Sequence, residues 1–178
     1  MRIETERLVL RRPEPADADA VLEIVGDPRV VEWLGGGEVG DRATAAAVVE
    51  RWIERWDGDG VGHFVVERRD DGRFVGRVGF LVWDPRVWES STYADAGDSA
   101  ETELGWAVVR SQWGNGYATE AALAARTWAY DEAGLERVMS LVAPQNVRSI
   151  RVVVKLGAQP ERLIHTGHGA AIVWVHPR

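Results

Sequence analysis

Residues Glu103 to Ala121 leave this chain few architectures to adopt. Glu103-Leu104-Gly105-Trp106-Ala107-Val108-Val109 reads as a strand, Gly114-Asn115-Gly116 as a turn, and Tyr117 onward as an alanine-rich helix. Gly114 and Gly116 carry no Cβ, so the backbone between strand and helix can close around a ligand while its N–H groups and the helix N-terminus face an anion. Main-chain amides can then hold a diphosphate without any lysine. A Walker A loop would need Gly-x-x-x-x-Gly-Lys followed by Ser or Thr, and no such run occurs. The dinucleotide fingerprint would place a glycine where Thr119 stands, near the start of a parallel βαβ unit. Both the ATPase and the NAD readings weaken accordingly.

The rest of the chain supplies a sheet and helices to carry that turn. Leu8 to Leu10 suits a strand closed by Pro13 and Pro15, and Ala18, Val21, Leu22 and Val25 repeat at helical spacing before Gly26 and Pro28. After a Gly35-Gly36-Gly37 loop, Ala45, Val48, Val49, Trp52, Ile53 and Trp56 predict a second helix, capped by Asp41 or Thr44. His63 to Arg69 and Arg73 to Trp83 form a hairpin through Asp70-Asp71-Gly72. Asp84 to Ala100 has little periodicity and reads as a long loop. A strand from Thr102 to Val109, a helix from Tyr117 to Glu132, a strand from Arg137 to Val142, a helix from Val147 to Leu156 and a strand near Ala171 to Val175 complete the order. At 178 residues, this is one mixed α/β or α+β domain spanning residues 1–178.

Charge narrows the partners. Twenty-eight acids against 21 Lys plus Arg leave a net charge of −7, which disfavours nucleic acid and anionic membrane surfaces and suits a cationic, amine-bearing partner. Without cysteine there is no disulfide framework, thiolate nucleophile or Cys-ligated zinc. His165-x-x-His168 offers two imidazoles with no nearby carboxylate, too few for a dedicated zinc site, so no metal is expected. The acids among Met1 to Arg7 do not fit a signal peptide, and no run approaches about 18 apolar residues; a soluble, cytoplasmic protein is expected.

A second segment turns these features into a resemblance. In Asn146-Val147-Arg148-Ser149 to Lys155-Leu156-Gly157, Asn146 can cap a helix that Gly157 ends. Together with the opening Thr5-Glu6-Arg7-Leu8-Val9-Leu10-Arg11 and the Trp113 to Ala121 turn, it resembles the GNAT superfamily of acyl-CoA-dependent N-acyltransferases. The likeness is to the branch that includes the ribosomal-protein-alanine N-acetyltransferases, and it covers nearly the whole chain. One departure is Ser111, where the superfamily usually has Gln or Arg; the site should survive because that pattern works mainly through backbone amides.

The resemblance implies a single-domain GNAT fold, with a mixed twisted sheet of about seven strands, a splayed central parallel pair and about four flanking helices. It implies acetyl-CoA as cosubstrate, its pantetheine arm entering between the strand of Trp106 to Val109 and that of Val138 to Val142. Val108 and Val109 would meet the arm through main-chain bonds, a strand N–H near Val109 would stabilise the oxyanion, and Asn146 would bond the arm. Gln112, Gly114, Asn115, Gly116, Ala118 and Thr119 would surround the diphosphate. An attacking amine must first lose a proton. Candidate bases are Glu103, His63, His165 and His168; Glu103 is preferred because it shares its strand face with Gly105 and Ala107, where a substrate has room. Ser149 would reprotonate the leaving thiolate, again by resemblance.

The acceptor is the least specified part. Trp33, Trp83 and Trp88 could line its pocket, and a protein or peptide N-terminal amine is favoured by the resemblance over antibiotics and polyamines. A non-catalytic acyl-CoA-binding module and a partner-binding protein with an abandoned cleft are the competing classes. Many relatives in the superfamily form homodimers, and a homodimer is compatible with this chain.

Overall fold

The computed structural model describes residues 1–35 and 37–178; Gly36, in the middle of the expected Gly35-Gly36-Gly37 loop, lies outside the described residues. Nine strands form one sheet: β1 (Arg2–Glu4), β2 (Leu8–Arg11), β3 (His63–Arg68), β4 (Phe74–Asp84), β5 (Glu89–Ser91), β6 (Glu101–Val108), β7 (Met139–Val142), β8 (Gln159–Thr166) and β9 (Gly169–Val175). Their order is β1-β2-β3-β4-β6-β7-β9-β8, with β5 paired on β4. All pairings are antiparallel except that of β6 with β7. The helices are α1 (Ala18–Val25), α2 (Pro28–Val31), α3 (Arg42–Asp59), α4 (Tyr93–Ala96), α5 (Tyr117–Asp131) and α6 (Val147–Lys155).

Among the described residues, nine strands and six helices exceed the expected seven and four chiefly through very short elements. β1 and β5 have three residues each, and α2 and α4 have four. β5 and α4 lie inside the stretch expected to be a loop. Thr92 nucleates α4 by accepting from the Asp95 N–H, a cap too local for periodicity to reveal. β8 escaped the sequence reading because it is an edge strand on which only Ile164 is buried, so no alternation marks it.

Local chemistry explains the helix boundaries. Asp41 Oδ1 accepts from the Thr44 N–H at 2.9 Å, and Gly60 at φ 70° ends α3. Two apolar layers result. On one face of the sheet, Leu8, Phe64, Phe80 and Leu104 pack against α5, where Ala121, Ala122, Ala125 and Ala129 are buried. Small side chains let that helix lie close to the strands, and Trp128 fills the space beyond, edge-on to Phe64 at 5.5 Å between centroids. On the opposite face, α1 and α3 bring Val21, Ile24, Val49 and Trp52 onto Val65, Phe74 and Ala107.

Candidate active site

The parallel pair opens almost as soon as it forms. β6 and β7 share a single bridge, Glu103 opposite Met139. Beyond it, a side chain takes over a main-chain group that a continued ladder would have paired. Ser140 Oγ donates to the Leu104 carbonyl at 2.6 Å, while the nearby Leu141 N–H helps hold the Glu103 carboxyl down. The strands are therefore capped open at this point, and β6 runs on past β7 with one edge unpartnered.

Strand alternation says which groups line that edge. The Val109 N–H donates to Val75 O at 2.9 Å across the β4 side, so by the two-residue period the main-chain groups of Trp106 and Val108 face the gap. This corrects the expectation for Val109: its N–H is paired, its carbonyl accepts from Gln112, and it offers neither an oxyanion donor nor a bond to the pantetheine arm. Val108 keeps its N–H toward the gap, while its carbonyl accepts from Trp113 Nε1 at 2.7 Å.

The turn after β6 carries a row of open donors. Gly114 and Gly116 stand at φ 83° and 82°, the left-handed region that favours glycine. The N–H groups of Gly114, Asn115, Gly116, Tyr117 and Ala118 have no acceptor among the described residues. These consecutive amides at the start of α5, with the helix dipole behind them, suit the diphosphate of a coenzyme A molecule. Two expected members fit differently. The Gln112 N–H is bonded to Val109 O, and the Thr119 N–H reaches Gly116 O at 3.1 Å, so neither main-chain N–H is open to the ligand. Gln112 serves the turn instead, its carbonyl accepting from Asn115 Nδ2 at 3.0 Å.

α6 enters the same mouth. Asn146 caps it by accepting the Ser149 N–H at 3.1 Å. The Arg148 guanidinium lies 4.1 Å over the Trp113 ring, tying the first turn of α6 to the amide turn. The Ser149 hydroxyl and the Asn146 Nδ2 have no hydrogen-bond partner among the described residues.

On the α1/α3 face, a polar cluster interrupts the apolar layer. Trp83 Nε1 donates to Glu103 Oε2 at 2.6 Å, and Arg77 Nη1 lies 2.6 Å from His63 Nε2. Burial pushes the Glu103 carboxyl up, opposed by the Trp83 bond, the Arg77 charge and the Leu141 N–H. Burial also holds His63 well below the usual imidazole value, with Arg77 and Arg55 adding to the effect. His63 is therefore neutral, and its Nε2 accepts from Arg77. Arg77 is lowered by burial to about 10, still a cation at neutral pH, with Glu103 opposing the shift.

Of the four candidate bases, Glu103 and His63 meet in this cluster. His165 and His168 belong to the β8–β9 hairpin and are exposed; His168 Nε2 approaches Gly35, across from the cluster's own strands. Trp83 touches Glu103, whereas Trp88 packs with Trp83 and Met139 beneath the Arg162 guanidinium, and Trp33 is 38 % exposed. Among the described residues no group of three His, Asp or Glu side chains could hold a metal ion.

Three features escaped the sequence reading. Arg77 shares a face with Glu103 only through the register of β4 on β6, which the spacing within either strand does not give. Ser140 and His176, buried beneath the splay, bond at 2.8 Å. Glu120 accepts from Thr5 Oγ1 at 2.6 Å and from Arg7 Nε at 2.7 Å, while Arg7 Nη1 reaches Asn115 O at 3.0 Å. Burial would raise the Glu120 carboxyl, but the Thr5 hydroxyl and the Arg7 donors overcome it and hold it low.

An open parallel pair, a turn of unpaired amides and a half-buried carboxylate on the opposite face suit an acyl-CoA-dependent transferase. The family profile described as Acetyltransferase (GNAT) domain matches residues 7–159, and the chain belongs to that family. It is 29% identical over 161 residues to the Uncharacterized N-acetyltransferase YnaD of Bacillus subtilis (strain 168), covering 90% of this chain and 84% of YnaD. The crystal structure of an acetyltransferase from Agrobacterium tumefaciens str. C58 superposes with a TM-score of 0.80 at 27% identity, covering 100% of this chain and 95% of that one. Two structures share the fold at lower identity. RimL, a ribosomal L7/L12 α-N-protein acetyltransferase in complex with coenzyme A, has a TM-score of 0.79 at 13% identity, covering 99% of this chain and 97% of RimL. AAC(6')-Ib with ribostamycin and coenzyme A has a TM-score of 0.75 at 21% identity, covering 97% and 94%. The protein is an acetyl-CoA-dependent N-acetyltransferase. Among the described residues, no helix is long and apolar enough to cross a membrane.

Proposed function

We propose that this enzyme, acting as one domain over residues 1–178, acetylates a protein or peptide N-terminal amine. Glu103 is its general base and Ser149 its general acid. The observation that carries the catalytic reading is the Glu103 carboxylate, fixed by the Trp83 N–H at the point where β6 and β7 part. A carboxylate made more basic by burial is suited to take a proton from an ammonium group.

Acetyl-CoA supplies the activated acetyl group as a thioester. The amides of Gly114, Asn115, Gly116 and Ala118, with the adjoining Tyr117, bind its diphosphate, and Asn146 Nδ2 bonds the arm. Val108, whose N–H faces the gap, donates to the acyl oxygen as negative charge develops there. Glu103 takes the first proton from the ammonium, and the second, shed by the nitrogen as the C–S bond breaks, replaces the one that the Ser149 hydroxyl passes to the departing sulfur. Gln112 and Thr119 shape the turn.

The acceptor reading is supported by the resemblance to the ribosomal-protein branch, whose opening and turn segments meet in this fold. The Thr5-Glu6-Arg7 opening clamps Glu120 and Asn115 beside the diphosphate turn. RimL, whose stated substrate is a protein N-terminus, shares the fold over nearly its full length.

Thiol release from acetyl-CoA in the presence of amines tests the reading. Glu103→Gln should lower kcat by about 10²–10⁴-fold, the range for loss of a general base. Stabilisation by acetyl-CoA should be unchanged, about 2.7 kcal/mol at 100 times its dissociation constant. Full turnover by Glu103→Gln would remove the role. Stabilisation without amine-dependent thiol release would mark a binding module instead.

A further inference from the structure

The acceptor face holds a cation that the proposed reaction does not use. Arg77 projects from β4 onto the face of Glu103, and its hydrogen bond among the described residues goes to neutral His63 rather than to a carboxylate. Gly105 keeps the space between the two charged groups open. A Cβ added to it would lie 3.1 Å from Arg77 Nη1 and 3.7 Å from Glu103 Oε1, so both atoms border one small gap. Arg77 and Glu103 are half-buried, as is Gly105, so this gap is reached from outside. A guanidinium without a carboxylate partner in such a place is costly unless an oxygen acceptor meets it.

We infer that Arg77 is a specificity-determining residue that reads a carbonyl or carboxylate oxygen on the carbon next to the acceptor's amine-bearing carbon, making the acceptor class an α-aminoacyl compound. An α-amine and the carbonyl or carboxylate oxygen of the same residue are about 3 Å apart. The amine can therefore face Glu103 while that oxygen accepts from the Arg77 fork across the Gly105 gap. Polyamines have no oxygen there and aminoglycosides only hydroxyl or ether oxygens, weaker acceptors than a carbonyl or carboxylate, and both bring further positive charge against Arg77. This inference rests on the proposed acceptor reading and sharpens it.

The experiment measures thiol release from acetyl-CoA with alaninamide, a short peptide with a free N-terminus, alanine, isopropylamine, spermidine and ribostamycin. The enzyme is used as wild type, Arg77→Met and Gly105→Ala. Retained stabilisation by acetyl-CoA shows that each variant is folded. Amine acidities differ among these compounds, so the decisive quantity is how each substitution changes the ratio of kcat/KM between alaninamide and isopropylamine. Arg77→Met should lower that ratio about tenfold or more, chiefly through KM, as expected for a lost charge-assisted hydrogen bond. Gly105→Ala keeps the guanidinium but fills the gap and should act in the same direction. Preference for alaninamide and the peptide assigns a polypeptide terminus, preference for alanine a free amino acid, and both uphold the inference. An unchanged ratio in both variants, or spermidine or ribostamycin as the best wild-type acceptor, overturns it while leaving the transferase intact. Absence of thiol release with every amine overturns the acceptor reading and this inference together.

Discussion

Replacing Ser140 with alanine removes one oxygen atom from beneath the splay, and its consequences follow from proton counting. The hydroxyl has one proton, and the Leu104 carbonyl at 2.6 Å can only accept, so Ser140 donates there. His176 Nε2, 2.8 Å away, must then carry its own proton and donate to Ser140 Oγ. That tautomer leaves Nδ1 as the bare nitrogen, and it is indeed buried without a partner among the described residues. In Ser140→Ala, the Leu104 carbonyl and the His176 N–H both lose their partner in a region where Leu104, Ser140 and His176 are 0%, 2% and 4% exposed. Each orphaned group costs about 1–3 kcal/mol, giving about 2–6 kcal/mol in all. For a chain of this size that lowers Tm by about 4–24 °C, readable by thermal denaturation. The KM for acetyl-CoA should rise as well, because Leu104 sits where the strands part. A double-mutant cycle with His176→Phe should give a coupling of about 1–2 kcal/mol. A Tm within about 2 °C of wild type, or strict additivity, would refute the hydrogen-bond assignment.

Gly116→Ala should destabilise the fold by about 1 kcal/mol and raise the KM for acetyl-CoA, because alanine resists φ 82°. Its Cβ meets nothing closer than Arg7 Nη2 at 3.6 Å, so backbone strain is the cause, and unaltered kinetics would count against the amide turn. Ser149→Ala should lower kcat with little change in the KM for acetyl-CoA, and equal kcat values would exclude the general-acid role. Stability should fall on acidification. Burial, assisted by Arg126, lowers His176 from 6.5 to about 4. The unfolded chain therefore takes up the proton first, and stability present above pH 6.5 is lost progressively toward pH 4, by about 3 kcal/mol in total. His63 shifts in the same direction and Glu103 in the opposite one, so urea midpoints at pH 7.5 and pH 5 in a Glu103→Gln background isolate the histidine slope. A midpoint that rises at pH 5 would contradict it.

Much of the fold was legible residue by residue. Spacings along α1, α3, α5 and α6, the Asp70-Asp71-Gly72 turn and the glycines flanking Asn115 act over a few positions, and these elements form close to where periodicity places them. Helical and strand periods report which face of one segment is apolar, and capping residues report where it begins. The strand period groups Glu103 with Gly105 and Ala107 on one face, and Gly114 and Gly116 give the expectation of a turn that can close around an anion.

The partners of those residues depend on which strands lie side by side and in what register, and no local spacing encodes that. Arg77 borders Glu103 because β4 pairs with β6, with Gly79 opposite Gly105. Thr5 and Glu120 meet across 115 residues of chain. The Val109 N–H is paired because β4 lies beside β6, whereas the open Val108 N–H and the Ser140–His176 bond beneath the splay depend on β7 lying between β6 and β9. Residue types and periods thus set which elements form and what chemistry they can offer. Strand order and burial set which groups meet, which are left without a partner, and how far their proton affinities move.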